Sequence, residues 1–226
     1  MVFGKRNIQE SPLVRLNNVS VPIVESVGFL GISLDSCLSW ENHIEKLNLK
    51  LNSACAVIRR LRDVVSLNCI RIYYLAHIQS IINYGTCFWG TSKDALKVFK
   101  TQKRIIRCIL SLPPRASCKE RFTELDIMTV PSLYFLSLVL LVKKNPNLFM
   151  TNQQSYAHDM EITTRGRSEL RLPAHSSSFY ENGCYYRAIR AYRSLPVNIK
   201  NVNNFGVFRK SVIWYVKSGC FYDFNF

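Results

Sequence analysis

The stretch SWENHIEKLNLKLNSACAVIRRL, residues 39–61, decides the fold class of this chain. Its apolar residues recur at spacings of three and four, so they share one face of a helix of roughly six turns. The residues of this face are Ile44, Leu47, Leu51, Ala54, Ile58 and Leu61. Ser39 is a candidate N-cap, although Asn42 occupies the place of the acidic residue in a complete capping box. A coiled-coil seam is a second use of such a stripe, but its length favours packing inside a helical domain.

Two further apolar helices are predicted downstream. A helix over residues 69–83 carries His77 on its apolar face, which favours a core histidine over a ligand or a catalytic base. Residues 130–144 are apolar on nearly every side, and Pro131 suits the first turn of a helix. We therefore expect this helix to lie centrally in the core, since it is too short to span a bilayer.

Upstream of residue 39 the pattern is that of β-strands. Asn17 and Asn18 tolerate left-handed turn geometry and separate two short apolar runs, which predicts a hairpin whose second strand lies at an edge because of Pro22. Residues 27–35 are predicted as one short apolar strand. Its two glycines, Gly28 and Gly31, indicate the close approach of a neighbouring chain segment.

A helix predicted over residues 93–111 carries the clearest indication of function. Its cations step by four, three, four and three residues, which keeps them within an arc of roughly 80°. These cations are Lys93, Lys97, Lys100, Arg104 and Arg107. Asp94 is the one acidic residue beside them in the sequence, so their mutual repulsion is little offset. A phosphate backbone along the helix would reverse that penalty, whereas a solvated charged face usually mixes both signs.

The whole chain shows the same excess of positive charge. Thirty Lys and Arg residues against fifteen Asp and Glu give a net charge of +15 in 226 residues. A polyanion fits this charge, with nucleic acid ahead of an anionic membrane surface; a solvated basic surface without a partner is the alternative. We predict nucleic-acid contacts by Lys103, next to the five cations above, and by Arg165 and Arg167 in a second basic cluster.

The sequence indicates no catalytic residues and no metal site. The eight cysteines include no CxxC pair, so we interpret them as free thiols in a reducing compartment rather than as zinc ligands. Charged residues interrupt any early apolar run, which argues against a signal peptide. We expect an intracellular protein, in the nucleus or the cytoplasm, with no membrane partner; the oligomeric state stays open.

Several segments resemble, in chain order, the region that follows the palm in jockey-like non-LTR retrotransposon reverse transcriptases. The first is VGFLGISLD at 27–35, followed by LSW at 38–40 and HI at 43–44. The later ones are Tyr84-Gly85 with Trp89-Gly90, Gln102-Lys103-Arg104 with Ile106-Arg107, Phe122, Leu125 and Ile127 with Pro131-Ser132-Leu133-Tyr134, Thr164-Arg165, Leu195-Pro196 with Ile199-Lys200, and Phe221-Tyr222. The resemblance covers nearly the whole chain.

This resemblance implies a helical thumb that grips a template-primer duplex. The fold expected is mainly α (α+β), with a strand region at 1–38 that continues from a missing palm. A helical thumb-like bundle at 39–145 and an irregular, basic and aromatic C-terminal segment at 146–226 follow. The implied partners are RNA, an RNA–DNA hybrid or a single-stranded nucleic acid, bound through charge and shape.

One departure from the family limits the expected activity. Its polymerases use an Asp-Asp pair to hold two catalytic metal ions, and no two aspartates are adjacent in this sequence. The Mg²⁺ ions would belong to the missing palm, so we expect no cofactor in this chain and no DNA polymerisation by it alone. We interpret the chain as a fragment of an RNA-directed DNA polymerase from a transposable element; the alternative is a host-adopted or vestigial interaction protein.

Overall fold

The chain is mainly α-helical with two small β-hairpins near its N-terminus, as predicted from the sequence. A computed structural model describes residues 14–155, 166 and 168–226. The strands are β1 (Arg15–Leu16), β2 (Val19–Ser20), β3 (Ser26–Phe29) and β4 (Ile32–Asp35). The helices are α1 (Glu41–Leu61), α2 (Leu67–Tyr73), α3 (Ser80–Asn83), α4 (Thr86–Trp89), α5 (Ala95–Ile109), α6 (Lys119–Glu124), α7 (Val130–Lys144), α8 (Asn152–Ser155), α9 (Ser178–Glu181), α10 (Cys184–Arg193), α11 (Val197–Lys200) and α12 (Phe205–Gly219).

The hairpins are set by their turn residues. Strands β1 and β2 pair antiparallel around Asn17 and Asn18, whose φ angles of 49° and 63° confirm the predicted left-handed turn. The prediction of a single strand over 27–35 is wrong, because the chain reverses at Leu30 and Gly31, with φ angles of 46° and 79°, and β3 pairs antiparallel with β4. The Tyr84 hydroxyl holds this second turn by donating a hydrogen bond to the carbonyl of Leu30.

Helix α1 begins after a connection organised by Asp35. This carboxylate accepts hydrogen bonds from the backbone N–H groups of Cys37, Ser39 and Trp40, at 3.1, 2.9 and 3.0 Å. Burial alone would raise the pKa of Asp35, but these hydrogen bonds outweigh it and lower the pKa below its usual value. The predicted N-cap, Ser39, is wrong by one residue: Trp40 occupies that position in left-handed geometry, without a side-chain cap.

Helix α7 is the central element, as its sequence predicts. It is capped by Thr129, whose side chain accepts a hydrogen bond from Ser132 N at 3.1 Å, and Pro131 lies in its first turn. Helices α3, α4, α5, α10 and α12 all pack against it. The close approach of α4 depends on Gly90, since a Cβ at that residue would lie 2.2 Å from Cδ2 of the buried Tyr134 ring. The core therefore joins helices from both halves of the chain.

The amide of Gln102 connects three parts of this core. The side chain is fully buried, and its Nε2 donates to the Tyr74 hydroxyl and to the Met128 carbonyl, both at 2.8 Å. Its Oε1 accepts from the backbone N–H of Val130 at 2.9 Å. This one side chain thereby links α5 to the segment between α2 and α3 and to the first residue of α7.

The prediction that His77 lies in the core is wrong, because its side chain is exposed. A π-helical segment, Tyr74–Gln79, joins α2 to α3. The wider turn of a π-helix changes the apolar periodicity, so the buried face follows a spacing of four through Ile70, Tyr74, Ile78 and Ile82. His77 is turned outward, where its ring stacks on Tyr73 at a centroid distance of 5.4 Å.

Replacing the Gln102 amide by an apolar group of similar size tests its role as a connector. We expect Gln102→Leu to lower the free energy of unfolding by about 3 kcal/mol or more, because three buried polar groups lose their partner. Urea denaturation gives the measurement. Gln153→Leu, at an exposed glutamine of α8, is the matched control, and equal losses for both variants would contradict the assignment.

A glycine pair tests the packing of α4 against α7. In Gly90→Ala the added Cβ meets the Tyr134 ring, so we expect overpacking to cost about 1–3 kcal/mol and to lower the melting temperature by several degrees. In Gly28→Ala nothing lies within 4 Å of the added Cβ, and we expect a far smaller change. Differential scanning calorimetry compares the two, and a stable Gly90→Ala protein would show that α4 is loosely packed.

Candidate nucleic-acid interface

Helix α5 is oriented by its apolar face, which leaves its cations outside. The buried side chains of this helix are Ala95, Val98, Phe99, Gln102, Ile105, Ile106 and Ile109. On the opposite side Lys97, Lys100 and Arg104 are exposed, and Lys93 is exposed just before the helix begins. We call Lys93, Lys97, Lys100 and Arg104 the α5 stripe. Four of the predicted contact residues therefore share one accessible surface.

The N-terminal end of the α5 stripe is partly neutralised. Lys97 Nζ lies 2.8 Å from Asp94 Oδ1. The hydrogen bond to Asp94 raises the pKa of Lys97, and the charges of Asp94, Glu41 and Glu45 raise it further. The expectation that Asp94 is the one nearby acid is wrong, because α1 packs along α5 and brings Glu41 and Glu45 close to Lys97.

The C-terminal half of the stripe keeps its charge. Lys100 and Arg104 have no carboxylate within 4 Å among the residues that the structure describes. Arg104 donates a hydrogen bond to the amide oxygen of Asn52 on α1, which fixes the guanidinium without neutralising it. This half is the part of the surface best suited to an anion.

Arg59 of α1 adds a cation beside the C-terminal half of the α5 stripe. The sequence did not predict it as a contact residue. Burial and the neighbouring Cys108 raise the pKa of the Cys55 thiol, while the positive charges of Arg104 and Arg59 act in the opposite direction. Asn52, the hydrogen-bond partner of Arg104, lies on the same edge of α1 as Arg59, about two turns before it. The signal was available on α1: Arg59 follows Cys55 by four residues, one turn along the edge that faces α5.

Two other predicted contact residues are engaged inside the protein. The ammonium of Lys103 lies 4.6 Å from the Phe99 ring centroid and 5.7 Å from that of Tyr222. Arg107 Nε donates to the Ala116 carbonyl at 2.9 Å, which holds the turn after α5. Their contact with nucleic acid stays a prediction. Arg165 and Arg167 lie outside the described residues.

A second cationic surface lies between α1 and the β3–β4 hairpin. A cleft of about 660 Å³ is lined by Lys46, Lys50 and the buried His43, together with Ser33. Lys46 Nζ donates to the Ser33 hydroxyl at 2.9 Å, and the Ser33 N–H donates to His43 Nδ1 at 3.5 Å. Burial lowers the pKa of His43, and the charges of Lys50 and Lys46 lower it further. The buried histidine of this helical region is therefore a neutral His43, not His77.

The lowered pKa of His43 makes stability depend on pH. The unfolded chain takes up a proton at this residue near its usual pKa of about 6.5, whereas the folded chain resists it. The free energy of unfolding should therefore fall as the pH drops below that value. We expect His43→Asn to lose less stability than the unaltered chain between pH 7.5 and pH 5.5, measured by urea denaturation. His77→Asn, at an exposed histidine, is the matched control; equal pH dependence in all three proteins would contradict the assignment.

The described residues show neither a metal centre nor a membrane span. No three His, Cys, Asp or Glu side chains within residues 14–155, 166 and 168–226 are grouped so as to hold a metal ion. Among the helices of the same ranges, none combines the length and the apolarity needed to cross a membrane.

Comparison with known proteins does not place the chain in a family. No protein-family model, curated protein or solved structure matches it.

Proposed function

We propose that this chain binds nucleic acid without sequence specificity, through the α5 stripe and Arg59. The observation that carries the proposal is the exposed, unneutralised half of the stripe, where Lys100 and Arg104 face solvent. Arg104 is hydrogen-bonded to Asn52 of α1, and Arg59 is exposed about two turns further along that helix. The net charge of +15 supports it, because a polyanion is drawn to such a chain over a distance. A helix with one cation per turn, spaced about 5 Å apart along its axis, contacts several phosphates of one backbone.

The mode of binding follows from the residue types. Lysines and an arginine on a rigid helix neutralise phosphates and release the counterions condensed on them. Phosphate contacts position a protein but carry no base information. The partners proposed are accordingly RNA, an RNA–DNA hybrid or a single-stranded nucleic acid, and the proposed setting is the nucleus or the cytoplasm.

We further propose that the chain is the thumb and post-thumb region of a jockey-like non-LTR reverse transcriptase. The ordered motifs from VGFLGISLD to Phe221-Tyr222 support this origin. The fold is compatible with it, since a thumb that grips a duplex needs helices with an outward basic face. In this proposal the chain holds the template-primer duplex, and a palm domain carries out the Mg²⁺-dependent chemistry.

Neutralising two cations of the stripe tests the binding surface. We expect Lys100→Gln with Arg104→Gln to lower the magnitude of the salt slope of binding by about 2, since each phosphate contact contributes about 0.9 for a duplex. Fluorescence anisotropy of a labelled RNA–DNA hybrid at increasing salt gives the slope. Circular dichroism checks that the fold is kept.

The control removes the same charge outside the two cationic surfaces described above. Arg15→Gln with Arg60→Gln alters two exposed cations, of β1 and α1, and should leave the slope close to that of the unaltered chain. Equal slopes for both double variants would reject the α5 interface. Binding of an acidic protein that survives excess heparin and RNA would favour an interaction protein instead.

A further inference from the structure

Helix α12 is held rigidly by its inner face. Phe208, Val212 and Val216 are fully buried, and the helix packs on α7 and α11. The Asn204 side chain caps its first turn by accepting a hydrogen bond from Val207 N at 3.1 Å. The apolar side of this helix is therefore already used by the core, and its outer side is presented on a fixed support.

The outer side of α12 carries an exposed tryptophan. Trp214 is 71% exposed, whereas Trp89 is fully buried. Tryptophan is buried to a large extent in most proteins, so an exposed indole on an ordered helix is a candidate contact residue. Lys210 and Lys217 lie one turn before and one turn after it, on the same side of the helix.

The charges on helix α12 itself are of one sign. Helix α12 contains Arg209, Lys210 and Lys217 but no Asp or Glu. At the adjoining end of α7, Lys143 and Lys144 lie over aromatic rings of the α12 helix, those of Phe208 and Phe205 at 4.9 and 5.6 Å.

Among these five cations, Lys217 meets an acid. Its Nζ lies 2.6 Å from an Asp126 carboxylate oxygen. Arg209 and Lys210 have no carboxylate within 4 Å in the described part of the chain. The outer side of α12 thus combines the exposed indole with one unneutralised cation, Lys210.

We propose that the outer face of α12 is a stacking platform for single-stranded nucleic acid. An unpaired base stacks on the Trp214 indole, and Lys210, one turn away on the same side of the helix, binds the adjacent phosphate. Aromatic stacking accepts any base, because every base has a π-face, and cations along the same side follow the backbone. Charge complementarity selects a polyanion as the occupant.

A membrane surface fits this helix less well. A helix that lies in a bilayer interface inserts a broad apolar face. In α12 that face is the one occupied by Phe208, Val212 and Val216, all without solvent exposure. The apolar side chains left outside are Trp214 and Val207, with part of Phe205. This is one stacking position rather than an inserting face.

The segment just beyond α12 contacts α5 and α6. Just beyond α12, the Tyr222 ring lies 5.7 Å from Lys103 Nζ of α5, and Cys220 Sγ contacts the Lys119 carbonyl of α6 at 3.5 Å. The platform does not depend on the α5 interface, since its residues are separate.

Replacement of the indole tests the platform. We expect Trp214→Ala to weaken binding of a twelve-nucleotide oligo(U), measured by anisotropy, between about fivefold and about a hundredfold, the range for loss of one base stack. Trp214→Phe keeps a ring and should retain most of the affinity. Phe179→Ala, at an aromatic residue that is 66% exposed in α9, is the matched control and should bind as the unaltered chain does. In the unaltered chain, binding of the oligonucleotide should quench the fluorescence of the exposed Trp214, the tryptophan that iodide can reach. This quenching should be absent in Trp214→Phe.

The outcomes separate the platform from the α5 interface. Loss of oligo(U) binding in Trp214→Ala, with the hybrid salt slope unchanged, supports the platform even if the Lys100→Gln, Arg104→Gln variant behaves as the unaltered chain. Equal oligo(U) affinities for Trp214→Ala and Phe179→Ala overturn the platform, whatever the α5 variant does. A blue shift of Trp214 emission with phosphatidylserine vesicles, without quenching by oligo(U), assigns the surface to membranes and also overturns it.

Discussion

The buried amide of Gln102 is the interaction on which the other elements depend. A primary amide offers donors and an acceptor, and here all three of its partners lie on other segments: Tyr74, Met128 and Val130. A buried amide without hydrogen-bond partners would destabilise the fold by more than most single apolar contacts stabilise it. The three hydrogen bonds of Gln102 are therefore needed together. This sets the rotation of α5 and fixes where α7 begins.

Both candidate surfaces are consequences of that arrangement. Once Gln102 faces inward, the residues two behind and two ahead of it, Lys100 and Arg104, must face outward on the same helix. Helix α7 provides an apolar surface against which Phe208, Val212 and Val216 of α12 pack, and Trp214 then lies on the solvent side. The packing of the core thus determines where the cations lie, and it leaves them exposed to solvent and to a binding partner.

Much of the fold could be predicted from the sequence, because the relevant signals are local. The period of Ile44 to Ile58 sets α1, and the uniformly apolar run through Leu138 sets α7. The amphipathic arc of α5 likewise identified its outer cations. What the sequence did not predict depends on tertiary contacts or on turn geometry. The second hairpin requires a left-handed Leu30, which apolar patterning does not reveal.

The errors at the candidate site have the same origin. A π-helical segment changes the period within α2 and α3, which exposes His77 and is invisible to an α-helical count. Glu41 and Glu45 reach Lys97, and Arg59 reaches the same surface as Arg104, only because α1 lies alongside α5. The spacing of residues within one helix gives no information about the charges that a neighbouring helix brings close to it. The sequence motif included Gln102, but it did not reveal the three groups that form hydrogen bonds with its side chain.

The N-terminal hairpins are joined to this core by few contacts. Strands β1 and β2 are exposed throughout, and β3–β4 is held by the Tyr84 hydroxyl, the Lys46–Ser33 bond and Ile32 against Gly85. Local opening free energies rise from such peripheral segments to the fully packed interior. We therefore expect a gradient of amide protection, in which the hairpins exchange with solvent well before α7 does.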